Sequence, residues 1–412
     1  MDGLLDSIRV LDLTDEKGLL CGRILGDMGA DIITVESPAG NSARTRGPFY
    51  KDVPHHERSL FWFTLNSNKR GITLNLETVD GRELFKKLVK TADFVIESFP
   101  PGQMDTLGLG YDILHKLNPS LVMTSITPFG PDGPCADYKG SDIVIMGLGG
   151  LSYISGEPTR EPIRIPVPQS FFHAGSWAAA ASMVAFYHRE ITGEGQHVDV
   201  SMQQAATWAT YTTQEWWSYA GMNLTRQGIW RQIGTSRMQV LFPCRDGYVM
   251  LFLVGGAAAA PGQDLLIEWM DREGLCPDWL RGFNFSELDV STASQDFFDD
   301  LSHALADFTV TKTKGELFEW ALKNTLFLAP VSNAEDLLKN PQLQSRNFWV
   351  SLDHPEIDAS VTYPGPFALL SETPIRMRRR APLLGEHNME IYNEELRISQ
   401  EEMMALKGKG VI

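Results

Sequence analysis

The first third of the chain alternates short β-rich runs with helical stretches, and this rhythm restricts its fold more than any other feature. Ile8–Leu13, Asp31–Val35, Ile72–Leu76, Asp93–Ile96 and Leu121–Ser125 read as buried strands. Between them, Leu19–Met28, Gly81–Lys90 and Tyr111–Leu117 carry helical spacing. Parallel neighbours need crossover connections, so such alternation implies a parallel sheet covered on both faces, a doubly wound Rossmann-like α/β lobe. Dinucleotide binding is disfavoured. Leu13 is followed by Thr-Asp-Glu-Lys-Gly with only Gly18, so the glycine fingerprint between first strand and first helix is missing. Gly108-Leu-Gly110 and Gly147-Leu-Gly-Gly150 lack its strand-to-helix setting and read as turn glycines.

Beyond Gly150 the pattern changes. Ser176–His188 is Ala-rich and apolar throughout, which predicts a buried helix, and Gly193-Glu-Gly195 predicts a sharp turn before a strand over His197–Ser201. Gly255–Gly262 follows the apolar run Tyr248–Val254 and reads as a strand-to-helix connection. At 412 residues and 43% hydrophobic, the chain is long enough for two lobes with a sizeable core. A net charge of −16 argues against recognition of a phosphate backbone, so nucleic acid is not an expected partner. No apolar run reaches membrane-spanning length and Met1-Asp-Gly-Leu-Leu-Asp is no targeting signal, so a cytoplasmic protein without membrane contact is expected. Cys21, Cys135, Cys244 and Cys276 lie far apart without a CxxC pair, which predicts reduced thiols and no metal site.

Several segments together carry a family likeness. They are Asn68-Lys-Arg70, Phe99-Pro-Pro-Gly102, Arg189-Glu-Ile-Thr-Gly-Glu-Gly-Gln196, Ala329-Pro-Val331, Asp336 to Leu343, Pro364-Gly-Pro-Phe367 and Ala381-Pro-Leu-Leu-Gly-Glu-His387. With Ile163 to Gly175 they resemble the family III CoA-transferases, the group of formyl-CoA transferase, carnitine CoA-transferase and 2-methylacyl-CoA racemase. The resemblance runs nearly end to end. It implies a Rossmann-like large lobe with a parallel sheet plus a smaller α+β lobe, in a dimer whose chains interlink like rings. The expected boundaries are 1–224 for the first part of the large lobe, 225–325 for the small lobe and 326–412 for the return to the large lobe. The active site would lie where lobes and subunits meet, and Gly255–Gly262 would lie near the loop that covers the thioester intermediate.

In that family an Asp stands four residues before the glycine matching Gly175, and here the position holds Phe171. The carboxylate attacks an acyl-CoA thioester, CoA thiolate leaves, and a mixed anhydride about as activated as the thioester forms. A phenyl ring has neither a lone pair to attack with nor a proton to exchange. Ser170 and His173 flank the position as a formal nucleophile and base, but an acyl-serine ester lies below a thioester in energy. His173 reads more plainly as a polar residue at a helix start. Asp142 matches an acidic site position in some relatives and could only assist.

The positions that the resemblance assigns to CoA binding are also altered. Ser37 and Glu77 stand where basic residues would face the adenosine phosphates, and a glutamate there is repulsive. Ser98-Phe99 replaces Asn-Phe, and Gly18-Leu19 replaces Gly-Pro. Lys17, Leu74, Phe99 and Lys139 persist as a vestigial CoA site. The resemblance therefore implies a non-catalytic subunit of a heteromeric CoA-transferase, partnered by a homologous Asp-bearing chain. The CoA thioester would be substrate rather than permanent cofactor, held mainly by that partner. An acyl-CoA such as succinyl-CoA would be the donor. Phe171, Phe172, His173, Trp177, Trp208, Trp216 and Trp217 would suit an aryl acid such as (R)-benzylsuccinate, as in anaerobic toluene degradation. Two alternatives stay open: a homodimeric transferase or racemase with a displaced acid, and a non-enzymatic acyl-CoA-binding regulator.

Overall fold

The computed structural model describes residues 3–412 and divides into two units. One runs through residue 152 and takes in 164–223 and 341–412; the other holds 153–163 and 224–340.

The larger unit is built on a six-stranded sheet, β1 (Arg9–Leu13), β2 (Asp31–Glu36), β3 (Lys69–Thr73), β4 (Phe94–Glu97), β5 (Val122–Thr127) and β6 (His197–Ser201). The order is β3-β2-β1-β4-β5-β6 and every pairing is parallel, the doubly wound order that the alternation predicted. Helices α1 (Leu19–Asp27), α2 (Leu60–Asn66), α3 (Val79–Val89), α4 (Gln103–Thr106), α5 (Tyr111–Leu117), α6 (Asp142–Leu148), α7 (Gln169–Thr192), α8 (Met202–Trp208) and α9 (Tyr211–Ala220) accompany it. Three separate apolar clusters form, one joining Ile72, Leu84 and Tyr392, another joining Val10, Leu25, Ile145 and Ala178, and a third joining Leu19, Trp62, Phe63 and Tyr363.

The third strand begins three residues earlier than the apolar run suggested, because two charged residues belong to it. Lys69 is fully buried, with Nζ 2.8 Å from Asp12 and 3.0 Å from the carbonyl of Leu19. Arg70 is held by Asp31, Glu390 and Glu395. A buried charge is tolerated only when paired and hydrogen-bonded, and such pairing cannot be read from a single strand.

The Ala-rich helix is also longer than predicted. Pro168 precedes its first residue and Gly193, at φ 80°, closes it by donating its N–H to the carbonyl of Arg189. Gly175 lies inside it because a Cβ there would come within 2.9 Å of Leu20 on α1. The expectation of an all-round buried helix is corrected. Small residues at Ala174, Ala178, Ser182 and Ala185 face inward, whereas Trp177, Val184, Tyr187 and Ile191 are exposed. The helix is amphipathic by side-chain size rather than polarity, which a count of apolar residues does not detect.

In the second unit, β7 (Trp230–Ile233) pairs with β8 (Ser236–Gln239), and β9 (Leu241–Cys244), β10 (Gly247–Leu251) and β11 (Leu328–Pro330) form an antiparallel sheet. Helices α10 (Ala260–Arg272), α11 (Gln295–Thr309), α12 (Lys314–Asn324) and α13 (Ala334–Lys339) complete it, around a core that includes Phe242, Leu266, Phe285 and Phe308. Pairing of β11 with β10 carries the unit to residue 340, beyond the expected boundary at 325. The Gly255–Gly262 segment connects β10 to α10 and enters that helix's first turn. Back in the larger unit, α14 (Pro341–Ser345), the hairpin β12 (Trp349–His354) and β13 (Ala359–Pro364), and α15 (Gln400–Gly408) complete the chain. No described helix is long and apolar enough to cross a membrane, and all four cysteines are free.

Candidate functional site

The segment around Phe171 starts α7, and Ser170 fixes that start. Ser170 donates twice to Asp142 Oδ1, from its backbone N–H at 3.0 Å and its hydroxyl at 2.8 Å. Asp142 opens α6, so this latch joins two helix beginnings. Its other oxygen, Oδ2, is buried and lacks a hydrogen-bond partner among the described residues.

Phe171 is 4% exposed and packs in the core with Val10, Cys21, Leu25, Ile145 and Ala174. Phe172 turns the other way and lines an apolar cavity of about 710 Å³ with Leu20, Ile24, Ala179, Met183 and Phe367. His173 is half-buried and has no hydrogen bond to Ser170. A serine activated by histidine would have to give its proton to the imidazole. The Ser170 hydroxyl points its proton at Asp142 instead, so the structure does not form that pair.

Above Phe171 stands Arg46, a residue that the sequence reading did not single out. Its guanidinium carbon is 5.9 Å from the Phe171 ring centroid and 5.4 Å from that of Phe61. Two residues earlier, Arg44 is almost fully buried, with Nε 2.6 Å from Glu36, a second nitrogen 2.6 Å from Glu57, and its guanidinium stacked on Trp62. Among the described residues Arg46 has no such partners, and its approach to a carboxylate is to Glu16 at 3.8 Å, beyond hydrogen-bonding distance. Sequence shows the two arginines as equals; only the fold shows which is neutralised.

The positions linked by resemblance to CoA gather at the carboxyl ends of the strands, where open α/β sheets bind ligands. Lys17 follows β1, Ser37 β2, Leu74 β3, Phe99 β4 and Lys139 β5. Of the two lysines there, one is neutralised. Lys17 is ion-paired to Asp15, which in turn accepts the Ser98 hydroxyl at 2.9 Å. Ser37 is exposed and bonds the Gly40 carbonyl, and Glu77 is exposed. Leu74 is buried in the core against which Phe99 packs, and Lys139 is exposed.

Glu97 ends β4 and accepts the Phe99 N–H at 2.7 Å. Burial raises its carboxyl to about pH 7, Ser125 and the Phe99 N–H favour its ionised form, and nearby Asp15 disfavours it. The Ser125 hydroxyl also lies 2.8 Å from His197 Nε2, and burial lowers that imidazole's pKa. Glu97, Ser125, His197, Asp105 and Tyr111 share a cavity of about 250 Å³.

The aromatic residues expected to wall one pocket separate. Phe171 is core, Phe172 lines the apolar cavity, and Trp177 meets Trp208 at 5.5 Å on the exposed side of α7, with Tyr211 at 6.1 Å from Trp208. Trp216 and Trp217 are exposed on α9.

Residues 5–388 match the family described as CoA-transferase family III. The chain is 35% identical over 94% of its length to succinyl-CoA:(R)-benzylsuccinate CoA-transferase subunit BbsE of Thauera aromatica, covering 93% of that protein. It is 32% identical over 95% of its length to succinyl-CoA:mesaconate CoA-transferase of Haloarcula hispanica, covering 96% of it. Among solved structures, a CAIB/BAIF family protein from Brucella suis superposes with a TM-score of 0.84 at 28% identity, over 96% of this chain and 100% of that one.

Proposed function

The chain belongs to CoA-transferase family III, and from that premise we propose that it is the non-catalytic subunit of a heteromeric CoA-transferase. Its partner would be a homologous chain bearing the aspartate. The observation that carries this reading is the burial of Phe171: the position expected to hold a nucleophilic carboxylate is filled by a core side chain. Neighbouring groups do not replace it. Ser170 is committed to Asp142, and Asp142 is itself buried and latched to Ser170.

The pairing of Lys17 with Asp15 and the exposed Glu77 at the strand ends support placing the CoA thioester mainly on the partner. A CoA nucleotide carries several negative charges, and Glu77 and the paired Lys17 offer them no compensation. The likeness to BbsE, named as a subunit, supports the heteromer and a succinyl-CoA donor. It also supports an aryl dicarboxylic acid such as (R)-benzylsuccinate as acceptor, in the cytoplasmic anaerobic breakdown of toluene. The exposed Trp177, Trp208 and Tyr211 group offers aromatic surface to such a ring.

Co-expression with an Asp-bearing homologue tests the assembly. A stable complex on size-exclusion chromatography is expected, and two chains that elute separately at micromolar concentration would refute it.

A further inference from the structure

We infer that Arg46 is the anion-binding group of a non-covalent receptor for the carboxylate of a dicarboxylic acid, retained beside the position where covalent chemistry has been lost. The inference rests on the subunit reading above.

The Arg46 backbone is fixed before any ligand arrives. The backbone N–H of Arg46 donates to the Ala43 carbonyl at 3.2 Å, and the Ser59 hydroxyl donates to the Arg46 carbonyl at 2.6 Å. Phe61 and Phe171 flank the planar head. Its side chain remains 41% exposed, and its donors form no hydrogen bond with a described side chain or carbonyl. A guanidinium presents a planar fork of N–H groups that matches a carboxylate in bidentate fashion, and a group restrained in advance loses less freedom on binding.

Phe171 is what leaves this cation available. An aspartate there would place a negative charge well inside the roughly 10 Å over which charges interact in dilute salt, and would offset the guanidinium from within. A phenyl ring removes that charge. The half-buried Phe61 ring lies beside the guanidinium for the apolar part of the acid.

Isothermal titration of the purified chain with succinate and with (R)-benzylsuccinate tests the receptor. Binding of both acids is expected, tighter for the aryl acid, with at least a tenfold loss in Arg46→Gln. Phe171→Asp should weaken binding in the same direction, by setting an internal carboxylate against the ligand. Should Arg46→Gln not fold, Arg46→Lys keeps the charge without the fork and is expected to bind severalfold more weakly. Wild-type affinity in the folded arginine variant, or no binding by the wild-type chain, overturns the inference. Assembly with the Asp-bearing homologue is scored separately. Intact assembly with Arg46-independent binding removes the receptor alone, whereas lost assembly with Arg46-dependent binding removes the subunit reading alone.

Discussion

Ser170 gives both of its protons to one oxygen of Asp142, so the residue preceding Phe171 anchors a helix and is not poised to attack. The arrangement predicts a structural penalty. Ser170→Ala removes the hydroxyl donor from a carboxylate whose Oδ2 already has no partner among the described residues. An unfolding free energy lower by about 1–3 kcal/mol is expected in urea melts. A change below a few tenths would show that the latch is not a stabilising contact.

Lys69 and Asp12 form the central buried ion pair of the sheet, both side chains being 0% exposed. Burial pushes the Lys69 ammonium down while Asp12 holds it up. Lys69→Met leaves the Asp12 carboxylate without its cation, and breaking one side of such a pair costs about 3–5 kcal/mol. The urea midpoint should fall accordingly. The double variant Asp12→Leu/Lys69→Met should recover part of the loss, and a double variant worse than the sum of the singles would contradict this picture.

Glu97 gives the protein a pH dependence of a definite sign. Its folded pKa, about 7, lies above the ordinary carboxyl value of 4.5, so folding favours the protonated form. Its contribution is fully present below pH 4.5 and is lost as pH rises through 7. Wild type should therefore lose stability between pH 5 and pH 8 relative to Glu97→Gln, by up to about 3 kcal/mol. Melting temperatures of the two proteins across that range provide the check, and parallel curves would contradict the shift.

Most of the sheet was legible in the sequence, and the exceptions have physical causes. The strand at Lys69–Thr73 starts earlier because its charges are matched by Asp31 on the adjacent β2 and Asp12 on β1 one strand further, a long-range fact. Phe171, Phe172 and His173 were grouped by adjacency, but successive helical residues point in different directions: Phe171 enters the core, Phe172 lines a cavity, and His173 forms no pair with Ser170. Arg46 is not distinguished in the sequence, because what separates it from Arg44 is the lack of a close carboxylate among the described residues, visible only where Glu36 and Glu57 close on Arg44.

Restoring the aspartate alone should not restore an enzyme. Phe171→Asp removes a buried ring and puts a carboxylate among apolar side chains, with a stability loss of about 3–5 kcal/mol expected. Lys17 would still be paired to Asp15 and offer CoA little compensation. Transfer by the variant without partner is expected to stay at background in a folded sample. Turnover approaching that of an assembled complex would contradict the idea that the whole site has diverged.

The most direct test of the subunit reading is transfer of CoA from succinyl-CoA to (R)-benzylsuccinate, followed by chromatography of the thioesters. The chain would be assayed alone, then mixed with an Asp-bearing homologue, then mixed with that homologue carrying Asp→Asn at its nucleophile. No transfer alone, transfer on mixing, and loss of transfer with the Asn homologue are predicted. Sustained turnover by this chain alone would contradict the account.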